Sequence, residues 1–353
     1  MNDWLGLINR VGVSWWDHCV SMAWQASAVF VLVALLSILL RRAAAVYQYG
    51  LWLLFLVKLM LPPSLSIITG VGYWLGIFTT ADVSKIFTTG PLRLAASAAP
   101  LVTAVGAETL HLAPVQMVMI WQAKLFLAWL TGLVCFAALL VRCRGHLRWK
   151  FRSAREVVHS ETLALWRECC AKMGVTRQVR LVEMNDIVSP IVVGCFRPTL
   201  VLPAGMVQQK EILEPILLHE LAHIRRRDVL VNWGQVCLQG YYWYNPLVWW
   251  ANALIRRLRE HACDDLVLTR LPGGSEQYAL SLMEVAKRCL GQPNAEAGLI
   301  GMITGGEKDL DRRVDRILDE QRKIIPTMSR WMLIAIVNTG DDYEHLGLAF
   351  SPD

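Results

Sequence analysis

Charge is what this sequence lacks most. Only 18% of its 353 residues are Asp, Glu, Lys or Arg, against roughly 25% in an ordinary soluble domain, and 55% are hydrophobic. The shortage is uneven: of 35 Lys and Arg and 29 Asp and Glu, only 11 fall in residues 1–141. The first part of the chain therefore suits lipid and the remainder suits water. A Cys-x-x-Cys pair is also missing, although there are nine cysteines, so a zinc site built from thiolates is not expected. Reduced thiols are the expectation for a chain whose polar part faces the cytosol. A strong charge imbalance is absent too. A net charge of +6 is not the footprint of a nucleic-acid binder, and direct nucleic-acid contact is not expected.

What the first part does contain is apolar runs. Residues 19–40, from Cys19 to Leu40, are almost uncharged and are closed by Arg41 and Arg42; about 20 such residues cross a bilayer core. A cleaved signal peptide is the weaker reading, because the run is long, starts late and is not followed by a small-residue cleavage site. A second run covers 43–61 and stops at Pro62-Pro63, with Lys58 near its end, where a long side chain can reach the interface. A third covers 118–141 and is followed by Arg142, Arg144, Arg148, Lys150, Arg152 and Arg155. Basic residues mark cytoplasmic ends. Three crossings then place the N-terminus and a Gly-, Ala- and Thr-rich loop, 64–115, outside, and everything after Arg142 inside. The basic segment 142–158 reads as a cytoplasmic linker that contacts membrane lipids.

The water-compatible part carries the chemistry. Leu217-Leu218-His219-Glu220-Leu221-Ala222-His223 contains His-Glu-x-x-His. On a helix, residues four apart share a face, so His219 and His223 can hold one zinc ion while Glu220 reaches a water beside it. The apolar flanks imply partial burial, and three polar groups buried together need a common partner. A third ligand is required, with a fourth position left open. Glu260, in Arg259-Glu260-His261-Ala262-Cys263-Asp264-Asp265, is the expected third ligand, and Asp264, one turn further, is expected to orient a ligand imidazole. A surface ion pair with Arg256 or Arg257 is the competing reading of Glu260. His261 and Cys263 are weaker ligand candidates, pointing away from its face.

Between Asp228 and Arg256 there is no charge at all. If His223 and Glu260 meet at one ion, this stretch cannot be a single crossing. A helical hairpin is expected, 211–243 and 247–270, turning at Asn245-Pro246. Its aromatic tip, Tyr241 to Tyr244 with Trp249 and Trp250, suits a membrane interface or a soluble core. Pro215 suits the first turn of the metal helix. Upstream, 160–174 reads as a helix, 178–184 as a strand, and 189–203 as two short strands around a Cys-Phe-Arg-Pro turn. The edge of that hairpin could pair with an extended peptide or serve only as structure. Two more helices are expected at 275–290 and 307–322.

Four segments in order, VGCFRPTLVLPAGM, HELAHIRRRD, YNPLVWW and REHACDD, resemble the BlaR/MecR-type membrane metallopeptidases. The resemblance covers nearly the whole chain, including RRVDRIL. It implies a mostly α membrane protein: three transmembrane helices, then a small α+β gluzincin-like zinc peptidase domain over 159–325 and a tail over 326–353. It implies Zn2+ on His219, His223 and Glu260, with Glu220 as catalytic base. It also implies a multi-pass location in the bacterial inner membrane, with the zinc domain cytoplasmic. The implied substrate is a protein or peptide, such as a cytosolic transcriptional repressor, and a homodimer is compatible with the reading. The best-known members add a fourth span and a penicillin-binding sensor. Here Trp331 to Val337 is too short an apolar run to cross, so antibiotic sensing is not expected. A membrane protease for protein quality control, of the prenyl-protein or heat-shock type, and a non-catalytic scaffold with structural zinc are the rival readings.

Overall fold

The computed structural model describes residues 3–41, 43–62, 118–207, 209–290 and 307–319. The expected loop 64–115, the run Trp331 to Val337, the tail and residues 320–322 lie outside them. Nine helices appear in this order among the described residues: α1 (Asp3–Leu39), α2 (Ala45–Met60), α3 (Trp121–Lys150), α4 (Ser160–Met173), α5 (Lys210–Arg226), α6 (Asp228–Tyr241), α7 (Pro246–Leu268), α8 (Ser275–Leu290) and α9 (Glu307–Leu318). Four strands accompany them: β1 (Arg155–Glu156), β2 (Arg180–Met184), β3 (Ile191–Val193) and β4 (Thr199–Pro203).

The three apolar runs all form helices, with different ends from those expected. α1 begins at Asp3 rather than near Cys19, because the isolated charges Arg10 and Asp17 do not interrupt a helix. α3 continues to Lys150 through the basic cluster, since Arg and Lys are good helix formers. The segment expected as a linker is thus partly helix. α1 and α3 are long and apolar enough to cross a membrane. α2, at 16 residues, spans about 24 Å, short of the ~30 Å hydrocarbon core.

The chain divides into two compact units. In the smaller, the first part of α1 meets the start of α3. Asn9 donates to the Val118 carbonyl at 3.2 Å and accepts from the Ile120 amide at 3.2 Å. Trp15 lies against Phe126 and Trp129. Gly12 lets the backbones touch: a Cβ there would lie 2.7 Å from the Ala123 Cα.

The larger unit holds the sheet and the remaining helices. The strand order is β1-β2-β4-β3, with β2 and β4 parallel and the two outer pairs antiparallel. β3 is therefore an edge strand. The β3–β4 hairpin turns through Cys195 to Pro198 as expected, and Gly194 enters it at φ 89°, where a Cβ would lie 2.5 Å from the Arg197 carbonyl oxygen. The core is made by Leu217, Leu218 and Leu221 of α5 with Leu200 and Leu202 of β4, Met173 of α4, Val267 of α7 and Tyr278 of α8, all fully buried. α2 packs along α7, where Ala45 and Val46 meet Ala262.

Two features of α5 differ from the sequence expectation. The helix starts at Lys210, so Pro215 lies in its second turn and cannot bond the Glu211 carbonyl four residues back. The Gln277 side chain takes that carbonyl instead, at 2.8 Å. The expected single helix 211–243 is also broken. Arg227 adopts φ 58°, ψ 35°, ending α5 and starting α6 at Asp228. The hairpin turn itself falls where expected: the Asn245 side chain caps α7 by accepting from the Leu247 amide at 2.9 Å, with Pro246 in the first turn. At its tip Tyr242 is buried, whereas Trp243, Tyr244, Trp249 and Trp250 are exposed.

A left-handed residue carrying a Cβ costs about 1–2 kcal/mol, and glycine escapes most of that cost. Arg227→Gly is therefore expected to stabilise the protein by up to about 1 kcal/mol, read as a higher thermal unfolding midpoint.

Candidate metal centre

α5 and α7 bring the predicted donors together. His219 and His223, one turn apart on α5, hold their Nε2 atoms 3.2 Å from each other. Glu260, from α7, places Oε2 at 3.5 Å from His219 Nε2 and 3.8 Å from His223 Nε2. A four-coordinate zinc with bonds of about 2.1 Å separates its donors by roughly 3.4 Å. The three atoms therefore fit the corners of one tetrahedral face, and the donor set suits zinc.

The other ring nitrogens are engaged. His223 Nδ1 lies 2.8 Å from Asp228 Oδ2. His219 Nδ1 lies 2.8 Å from the Tyr278 hydroxyl, which donates to Asp264 Oδ1 at 2.6 Å. That hydroxyl proton is committed, so Tyr278 accepts from His219. In the neutral, metal-binding form both imidazoles carry their proton on Nδ1 and turn a lone pair on Nε2 to the centre. Asp264 acts through Tyr278: its own oxygen is 3.6 Å from His219 Nδ1. Asp264 was expected to orient an imidazole directly; here it reaches His219 through the Tyr278 hydroxyl.

Arginines hold the acids. Arg313 of α9 grips Asp264 through Nε at 3.0 Å and Nη2 at 2.8 Å, and its Nη1 lies 3.7 Å from Glu260 Oε2. Arg226 donates to Asp228 Oδ1 at 3.4 Å and lies over the Tyr49 ring of α2, 4.7 Å from its centre. Burial alone would push the Asp264 carboxyl up, but Arg313 outweighs it and holds Asp264 below the usual carboxylate range. Burial likewise opposes ionisation of Glu260, and His223, the hydrogen bond with His219 and the Arg313 guanidinium hold it well below that range. Burial opposes a proton on His223, yet Cys263, Glu260 and Asp228 together favour the imidazolium. The same negative field would favour a divalent cation, whose binding displaces that proton.

Glu220 is partly buried, and its side chain makes no hydrogen bond or ion pair with another described residue. The weaker ligand candidates face elsewhere. Cys263 Sγ lies 3.3 Å from His223 Nδ1 and 3.4 Å from Asp228 Oδ2, behind the ring, and burial pushes its thiol up to about 11. His261 is kept neutral, its pKa lowered to about 4 by burial and by Arg316. All nine cysteines are free. Asp228, Tyr278 and Arg313 were not singled out from the sequence. Asp228 closes the HELAHIRRRD string, and that placement was the available signal.

A small solvent-open cleft of about 60 Å³ lies beside the centre, lined by Arg177, Val192, Gly194, Phe196, His223 and Arg227. Phe196 is almost fully exposed at the hairpin tip.

Two histidines and a carboxylate on facing helices define a candidate metal centre of the hydrolase kind. The chain belongs to the BlaR1 peptidase M56 family, whose sequence model matches residues 18–317. It is similar to the regulatory protein BlaR1 of Bacillus licheniformis, 32% identical over 153 residues, which are 42% of this chain and 25% of that protein. It is also similar to the methicillin resistance mecR1 proteins of Staphylococcus aureus and Staphylococcus epidermidis, each 31% identical over 104 residues, 28% of this chain and 18% of theirs. The matched segments thus span a quarter or less of these relatives.

Tyr278→Phe removes the acceptor for His219 while keeping the ring. Loss of such a support typically weakens metal binding about 10- to 100-fold. That drop is expected for Tyr278→Phe in a zinc competition titration, with the fold intact by circular dichroism.

Proposed function

We propose that the chain is a membrane-embedded, zinc-dependent endopeptidase that regulates a cytosolic protein, such as a transcriptional repressor. The observation that carries this reading is the convergence of His219 Nε2, His223 Nε2 and Glu260 Oε2 within 3.2–3.8 Å of one another. His219, His223 and Glu260 would hold the ion. When bound, zinc would supply a Lewis acid that polarises a scissile carbonyl and makes water nucleophilic at neutral pH.

The chain's own residues do the rest. Asp228 and Tyr278 keep the Nδ1 protons in place, so neither imidazole can turn away. Glu220, next to His219 and without a competing partner among the described residues, takes the proton from the attacking water and returns it to the leaving amine. An extended peptide would pair with the β3 edge, which packs against α5. A side chain of that peptide would enter the cleft beside His223. A structural zinc site has no need of a base such as Glu220, and this favours the enzyme over a scaffold.

The membrane assignment is supported by the exposed surfaces of α1 and α3. Only 22% and 6% of their most apolar stretches are buried by protein, which favours lipid contact over the core of a soluble domain. The basic residues that close both runs favour a cytoplasmic catalytic domain. The exposed aromatic tip of the α6–α7 hairpin suits the bilayer interface on the same side.

Glu220→Ala tests the reading directly. Purified variant and wild type are expected to bind equal zinc, while the variant's peptide hydrolysis falls at least about 100-fold. Equal cleavage by both would contradict the assignment. Removal of zinc with a chelator is expected to abolish cleavage of a cosynthesised repressor in membrane vesicles, and stoichiometric zinc is expected to restore it.

A further inference from the structure

We infer that Arg313 of α9 is a positioning residue of the metal centre, distinct in role from Arg316, which docks the helix. The inference rests on the reading of His219, His223 and Glu260 as metal ligands. The guanidinium of Arg313 meets two carboxylates of α7 that lie one helical turn apart. Its Nε and Nη2 take both oxygens of Asp264 at 3.0 and 2.8 Å. Its Nη1 lies 3.7 Å from Glu260 Oε2, the oxygen that faces both imidazoles. Through Asp264 and the Tyr278 hydroxyl the same group is linked to His219 Nδ1. One planar fork therefore restrains two of the three donors. Lysine cannot reproduce it, because an ammonium is a point charge without a fork.

Arg316 lies three residues on, on the same face of α9. Its Nη2 takes both oxygens of Asp265 at 3.0 and 2.8 Å, and its Nη1 donates to the His261 carbonyl at 3.0 Å. Those partners also belong to α7 but are not donors of the centre. The next residue, Ile317, is buried in the main core. α9 is thus fastened twice to α7, and the Arg313 fastening is the one that reaches the donors. A helix 49 residues beyond Asp264 thereby completes the surroundings of a site whose donors come from α5 and α7.

The test uses the full chain in detergent or nanodiscs. Zinc affinity is measured by competition with a chromophoric chelator, the coordination is read from the visible spectrum of the Co2+-loaded protein, and thermal midpoints are recorded. Arg313→Met is expected to bind zinc about 10- to 100-fold more weakly and to shift the Co2+ spectrum. Arg313→Lys is expected to recover part of the affinity, but not the wild-type spectrum. Arg316→Met is expected to lower the midpoint while affinity and spectrum stay wild-type. Wild-type affinity and spectrum in Arg313→Met would overturn the proposal, as would equal changes in Arg316→Met. Should Arg313→Met fail to fold, Arg313→Lys decides by the same readouts. These readouts need no substrate, so a chain that binds zinc and cleaves nothing defeats the peptidase reading alone. A chain that takes up no divalent metal defeats both.

Discussion

The hydrogen bonds on the outer nitrogens of His219 and His223 are the constraint on which the centre depends. Each Nδ1 is tied, one to Asp228 and one to Tyr278, so each Nε2 is left to face its partner and Glu260. Without those ties the two rings could rotate, and three donors within bonding reach of one ion would be an accident of packing. The supports are themselves buried charges that need partners. Asp264 is 1% exposed and sits in the fork of Arg313. Breaking such a buried pair typically costs about 3–5 kcal/mol. The polar network behind the ligands is therefore a matter of stability as well as chemistry.

Each histidine is held through an acid and then an arginine, and the two series run to different parts of the chain. His223 leads through Asp228 to Arg226 and the Tyr49 ring on α2. His219 leads through Tyr278 and Asp264 to Arg313 on α9. α2 is one of the apolar helices of the first part of the chain, and it lies directly against α7. An apolar segment and the candidate centre thus share one packed interface.

Much of the fold was readable from pattern. The apolar runs, the β3–β4 hairpin, the Asn245-Pro246 turn and α8 follow from hydropathy and turn chemistry, and the three donors follow from His-Glu-x-x-His plus a later helical carboxylate. What escaped has a geometric cause. In a continuous helix, residue 228 lies five positions after His223, roughly 140° around the axis and off its face. Only the left-handed turn at Arg227 brings Asp228 back to the ring, and an arginine gives no sign of it, as a glycine would have. Tyr278 and Arg313 approach from helices 59 and 49 residues away from their partners, and no local spacing reports such a meeting. Pro215 misled in the other direction: its lost bond marks the second turn of α5 because Gln277 fills the gap.

Zinc K-edge X-ray absorption of the full chain tests the central claim most directly. The account predicts one zinc per chain, surrounded by two imidazoles and oxygen at about 2.0–2.1 Å, with no sulfur neighbour. A zinc–sulfur distance near 2.3 Å would move the ion to the Cys263 side of His223 and contradict the assignment. So would a spectrum with no imidazole scattering.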